Sequence, residues 1–196
     1  MGASLLAGTA VKAEQVQFIT TGIFSGGDAP GSSTYSDAAN GVSIIFNNSL
    51  DNTVNPPPTS QVSFGTFDTS GTTATDFSGI LGTFTLTITQ VSGSGGQLDF
   101  SSTLNGTIRF DNSQAYIQFD GPLTQSLGNV FYQIASADDG VAGRVNLGAP
   151  TTGNGLASIT GRVGITAIPE PASLTMLSLG SVSMLVMMGR RKLSNS

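Results

Sequence analysis

The chain contains no cysteine, no histidine and no tryptophan. The lack of cysteine rules out disulfides, thiolate metal ligation and a cysteine nucleophile. The lack of histidine removes the imidazole base of a serine triad. Lys12 and Lys192, the two lysines, stand at the ends of the sequence, so a Ser–Lys dyad has no base within the body. Flat aromatic platforms for stacking sugars are scarce, since Tyr35, Tyr116 and Tyr132 are the tyrosines. Charge is scarce too, at 10% of residues. Between Glu14 and Ile168 only Arg109, Arg144 and Arg162 are basic, against eleven acids, which leaves a net charge of −8. Such a body repels nucleic acid and anionic lipid, and nucleic acid is excluded as a partner. In place of charge there are 26 glycines, and roughly a quarter of the chain is Ser or Thr. Surface polarity built on hydroxyls and amides, with a core that must hold without cross-links, is expected of an extracellular β protein of this length.

The hydrophobic period through the body is two. Phe84, Leu86 and Ile88 alternate with Thr83, Thr85, Thr87 and Thr89, the pattern of a half-buried strand. Residues 91–97, rich in Ser and Gly, are turn material, after which Leu98, Phe100, Leu104, Ile108 and Phe110 resume the alternation. Further strands are predicted over 15–24, 42–47, 62–67, 115–119, 130–135 and 157–167. A short helix is predicted near 36–40, a stiff loop over 55–58 and a flexible one over 148–155. The fold class is therefore all-β. One antiparallel β-sandwich or jelly-roll-like body of about eight or nine strands is expected over residues 14–168.

The last residues read differently. Pro169-Glu170-Pro171 breaks the strand pattern, because Pro169 biases Ile168 to extended backbone and Pro171 suits the first turn of a helix. Residues 172–189 follow without a charge, and as a helix they span about 27 Å, close to a hydrocarbon core of roughly 30 Å. Arg190, Arg191 and Lys192 then form a basic stop, and positive flanks stay on the cytoplasmic side. The expectation is one C-terminal transmembrane helix with the body exported. Ser173, Thr175, Ser178, Ser181 and Ser183 dilute its apolar surface, which suits a temporary anchor.

Pro169-Glu170-Pro171, the apolar span 172–189 and the cluster Arg190-Arg191-Lys192 together resemble the PEP-CTERM sorting signal of Gram-negative bacteria. The resemblance covers the tail, 169–192, alone. It implies an exosortase, a membrane protease, as partner, with cleavage near the Pro-Glu-Pro element. It also implies transient membrane residence and delivery to an exopolysaccharide or biofilm envelope. At the other end, residues 1–13 read as a truncated signal peptide, with Ala13 before the cut and no positive charge on Met1-Gly2-Ala3.

For the body itself the expected role is structural or interactive, without catalysis and without a required cofactor. Two alternatives use its acids. Asp138-Asp139-Gly140 offers hard oxygens to Ca²⁺, as do Asp51-Asn52 and Asp111-Asn112-Ser113, and a lectin-like module holding polysaccharide follows from such a site. The plainer reading of these turns is Asx geometry satisfied locally. More remotely, Asp99, Asp111 and Asp120 near strand ends would have to converge for glycoside hydrolysis. Asn47-Asn48-Ser49 and Asn105-Gly106-Thr107 match the glycosylation sequon.

Overall fold

Alternating burial runs through every long strand of the computed structural model, which describes residues 15–50, 52–56, 59–93 and 95–166. The tail and the front segment lie outside these described residues. Two antiparallel sheets account for the body. The seven-stranded sheet contains β1 (Val16–Phe24), β4 (Asn52–Val54), β6 (Ser78–Gln90), β7 (Gly96–Arg109), β8 (Asn112–Ser113), β9 (Tyr116–Phe119) and β12 (Arg144–Asn146). Its order is β12-β9-β7-β6-β1-β4, with β8 paired to β7. The six-stranded sheet contains β2 (Thr34–Asp37), β3 (Val42–Asn48), β5 (Thr59–Asp68), β10 (Thr124–Leu127), β11 (Val130–Ile134) and β13 (Leu156–Ile165), in the order β10-β11-β13-β5-β3-β2.

In β6 the side chains of Phe84, Leu86 and Ile88 are fully buried while the threonines between them face out. The same period turns Phe18 and Phe24 of β1, Phe46 of β3 and Phe67 of β5 inward. Their rings meet between the sheets. Phe84 lies 5.1 Å from Phe46 and 4.9 Å from Phe67, centroid to centroid, and Phe24 lies 6.3 Å from Phe67. A second group joins Phe18 edge-on to Phe64 at 5.8 Å and to Tyr132 at 5.6 Å. Tilted and edge-on pairs of this kind add about 0.5–1.5 kcal/mol each beyond the area they bury. Two curled sheets sharing one aromatic interior are consistent with a β-sandwich.

One polar group is carried into that interior. The Tyr132 hydroxyl donates to Gln90 Oε1 at 3.0 Å, and Gln90 Nε2 donates to the Ser92 carbonyl at 2.7 Å. Burial pushes the Tyr132 phenol well above its ordinary range.

Three expectations are corrected. There are thirteen strands among the described residues, not eight or nine. The additional ones, β2, β4, β8, β10 and β12, are two to four residues long, too short to display a period. The predicted helix at 36–40 is instead the end of β2 and a turn. There the Asp37 carboxylate accepts from the Asn40 backbone N–H (3.2 Å) and from Asn40 Nδ2 (2.7 Å), satisfying locally what a helix would have satisfied along its axis. The loop at 148–155 is tied down. Thr69 Oγ1 donates to the Gly148 carbonyl at 2.6 Å and stands 3.1 Å from that of Gly155, and the loop's own Ala149 is buried.

Candidate functional site

Pro169, Glu170, Pro171, Arg190, Arg191 and Lys192 lie outside the described residues, as does Asp51. Among the described residues no helix is long and apolar enough to cross a membrane. Asp138 and Asp139 form a 3-10 turn in which Asp139 takes a left-handed backbone conformation (φ 54°). Their carboxylates are engaged by one residue. Asp138 Oδ2 accepts from the Asn146 backbone N–H at 2.7 Å, and Asp139 Oδ2 accepts from Asn146 Nδ2. No group of three His, Cys, Asp or Glu side chains gathers for a metal among the described residues.

Of the three carboxylates considered for hydrolysis, Asp111 stands apart from the other two. Asp99 and Asp111 flank opposite ends of β7, separated by about 33 Å of strand between Asp99 and Arg109. Asp111 Oδ1 stands 2.7 Å from Arg109 Nε, an ion pair at a hairpin turn. Asp99 accepts from Thr87 Oγ1 at 2.6 Å. Asp120 follows β9 and is exposed, and its backbone N–H donates to the Ser101 carbonyl at 3.1 Å, which sets it on the neighbouring strand two positions from Asp99 on the same outer face. Asn105, in the second sequon, faces out from β7, and its Oδ1 accepts from the Gly106 N–H at 2.7 Å.

A different place on the body combines concavity with unsatisfied polar groups. It sits on the outer face of the six-stranded sheet, where β5 meets β13. The register there steps from Thr66↔Ser158 to Ser63↔Thr160, so Phe64 and Gly65 of β5 stand opposite Ile159 alone. This is a β-bulge, which bends the strand and sharpens its twist. Gly65 adopts φ +138°, open to glycine, and a Cβ there would stand 2.3 Å from Phe46 Cζ. The Ser63 hydroxyl closes the bulge by bonding to the Gly65 N–H and carbonyl at 3.3 and 3.2 Å. Phe64 is turned fully into the core and passes beneath Gly161, where a Cβ would meet Phe64 Cε2 at 2.0 Å.

Beside the bend lies a shallow, open cleft of about 600 Å³ lined by the polar Gln61, Ser63, Ser158, Thr160 and Arg162 together with Val62, Ala135 and Gly161. Pairing sets the side chains in rows. Gln61, Arg162, Gln133 and Thr124 are successive cross-strand partners over β5, β13, β11 and β10. Neighbours in such a row stand about 4.7–4.9 Å apart. Two residues along β11 from Gln133, on the same face, is the half-buried Phe131, opposite Gly164.

Arg162 is exposed and has no carboxylate partner among the described residues. The other two body arginines are engaged. Arg109 pairs with Asp111 and lies 4.7 Å from the Phe77 ring centroid. Arg144 lies over the Tyr116 ring at 4.4 Å and donates from Nε to Gln118 Oε1 at 3.2 Å. The strands of the six-stranded sheet carry two acids, Asp37 on the far edge strand and Asp68, about 23 Å along β5 from Gln61. Asp68 already accepts from the Ser70 N–H at 2.8 Å. An isolated guanidinium between two carboxamides, with hydroxyls alongside and an aromatic ring nearby, can hold an anionic, hydroxyl-bearing group.

No family model matches this chain, and no curated protein or solved structure does either. The site is carried by geometry alone. Sequence reading passed over Arg162 because a lone arginine on the polar face of a strand reads as solvated. Its neighbours Gln61 and Gln133 come from strands remote in sequence, and nothing local announces their pairing.

Proposed function

We propose that this chain is an exported cell-surface or extracellular matrix protein, sorted and processed through its PEP-CTERM-like tail. The finer architecture in this reading is a jelly-roll-like sandwich followed by one transmembrane helix. The observation that carries it is the order Pro169-Glu170-Pro171, uncharged 172–189, Arg190-Arg191-Lys192. A breaker, a bilayer-length apolar segment and a cytoplasmic charge cluster have no common use inside a soluble β body. The outer faces of both sheets support it, being rich in hydroxyls and amides and poor in charge, as suits a polysaccharide envelope. The partners are an exosortase at the tail, the inner membrane before processing, and matrix polysaccharide afterwards. The role is structural or interactive, without catalysis. Mass spectrometry of the protein recovered from cell surface or medium tests this. The expected C-terminus lies near Pro169–Pro171, and surface protein that still carries Arg190-Arg191-Lys192 overturns the processing claim.

A second reading, a lectin-like binding module, is favoured by one observation, the cleft at the β5 bulge with its unpartnered Arg162. It does not need Ca²⁺, because the cleft's own donors are Gln61, Arg162 and hydroxyls. Calorimetry with polysaccharide in the presence and absence of Ca²⁺ tests it, with equal heats expected in the two.

A further inference from the structure

We infer that the cleft on the six-stranded sheet selects glycans bearing carboxylates, that is, uronic-acid-containing polysaccharide. The inference rests on the lectin-like reading and names its ligand class.

Four observations point the same way. Arg162 is the body arginine with no carboxylate or aromatic partner among the described residues, and it lies at the cleft rather than on a convex surface. A guanidinium offers a planar fork that fits a carboxylate through two parallel hydrogen bonds. No acid of the same sheet is close enough to neutralise it, so in a body of net charge −8 this is a local positive spot. Its flanking partners in register, Gln61 and Gln133, each present both a donor and an acceptor, the pairing that sugar hydroxyls require. Phe131 offers an apolar surface beside that row for the face of a pyranose ring.

The hydroxyls add a gradient along the cleft. Thr160 Oγ1 is 3.2 Å from Ser136 Oγ, and Ser158 Oγ is 3.4 Å from Thr66 Oγ1, so these groups are partly satisfied within the protein. Gln61, Gln133 and Arg162 are not, since their side chains make no hydrogen bond among the described residues. The strongest unmet hydrogen-bonding capacity is therefore concentrated in one row, a guanidinium flanked by two amides. That row matches a carboxylate with a vicinal hydroxyl better than a neutral sugar, whose hydroxyls leave the positive charge without a counterpart.

The test uses full-length chain purified in a mild non-ionic detergent, at about 0.1 M salt, where the body's long-range negative field is screened beyond about 10 Å and a direct contact is screened less. Calorimetry compares oligogalacturonate, the same oligomer with its carboxyls reduced to alcohols, and hexaglutamate. The acidic sugar should bind, and the reduced sugar and the peptide should bind at least about tenfold more weakly. Arg162→Gln should weaken oligogalacturonate binding by about tenfold or more with the melting temperature unchanged, since the side chain is exposed. Arg162→Lys should fall between the two, keeping the charge and losing the fork. Arg109→Gln should bind as the parent does. Equal affinity for acidic and reduced sugars, unaffected by Arg162→Gln, overturns the inference and leaves the lectin-like reading standing. Equal losses in Arg162→Gln and Arg109→Gln, or hexaglutamate binding as tight as the sugar, overturn it as well. Binding to none of the three, or to the Ca²⁺-loaded chain alone, removes the inference and the proposed use of the cleft together.

Discussion

The outer faces of the two sheets are made of the same materials and behave differently. On the seven-stranded sheet, Thr85, Thr87 and Thr89 stand in register with Ser101, Asp99 and Gln97 of β7 and with Ile23, Thr21 and Ile19 of β1. Its charges are spent internally, Asp99 on Thr87 and Arg144 on Tyr116 and Gln118. On the six-stranded sheet a bulge folds the surface inward and leaves one guanidinium without a partner. Composition does not distinguish these faces. What separates them is one irregularity of register and one unmet hydrogen-bonding group, and both depend on which strands become neighbours.

Both faces stand on a shared aromatic interior, so the largest predicted effect removes them together. Phe84→Ala takes away a ring packed against Phe24, Phe46 and Phe67, and should destabilise the body by about 3–5 kcal/mol in urea unfolding. A loss below one kcal/mol would mean that the two sheets are not held by this contact. Gly161→Ala sharpens the contrast. Its new methyl would meet Phe64 at 2.0 Å and the Gln133 carbonyl at 2.6 Å, so the bulge must shift, at about 1–3 kcal/mol. The cost should come with loss of oligogalacturonate binding, whereas an unchanged melting curve would show the bulge to be tolerant.

Tyr132→Phe should cost about 1–2 kcal/mol by leaving the buried Gln90 carbonyl oxygen without its donor. It also carries a pH signature. The folded protein holds the phenol neutral to higher pH than the unfolded chain does. That contribution is fully present below the unfolded value of about 10 and is lost as pH rises past it. Denaturation curves at stepped alkaline pH should show the parent weakening more steeply than Tyr132→Phe, and parallel slopes would count against the buried hydroxyl. The smallest effect belongs to the seven-stranded face. Thr87→Ala should change stability by no more than about 0.5 kcal/mol and leave sugar binding alone. A binding defect there would erase the distinction between the faces.

The fold was legible where burial is one-sided and long. Phe84, Leu86 and Ile88 announce β6 because they are buried at every second position while the threonines between them are not. Short edge strands such as β10, Thr124–Leu127, carry no such constraint, because pairing with β11 and not hydrophobic period makes them strands. The stretch at 36–40 read as helical for want of a β pattern, while the Asx interaction of Asp37 with Asn40 decided otherwise. In the site, the acidic turn at Asp138 and Asp139 was visible in sequence, and its engagement by Asn146 was not. Gln61, Gln133 and Arg162 were each unremarkable alone. Their meaning arises from the register, a long-range property that a local window does not contain.

The position of β13 has a consequence for how the molecule comes into being. The last strand among the described residues, it is an interior member of its sheet, inserted between β11 and β5. Until its residues have been delivered, β5 and β11 have no ladder to share, and the earlier part of the sheet presents an open seam. Assembly is then a closing act performed late in the described body, over a sequence separation of just over a hundred residues between Gln61 and Arg162. A chain arrested a few residues short would leave that seam unsealed for another copy to fill, and a chain completed would acquire the cleft in the same stroke that locks the sheet.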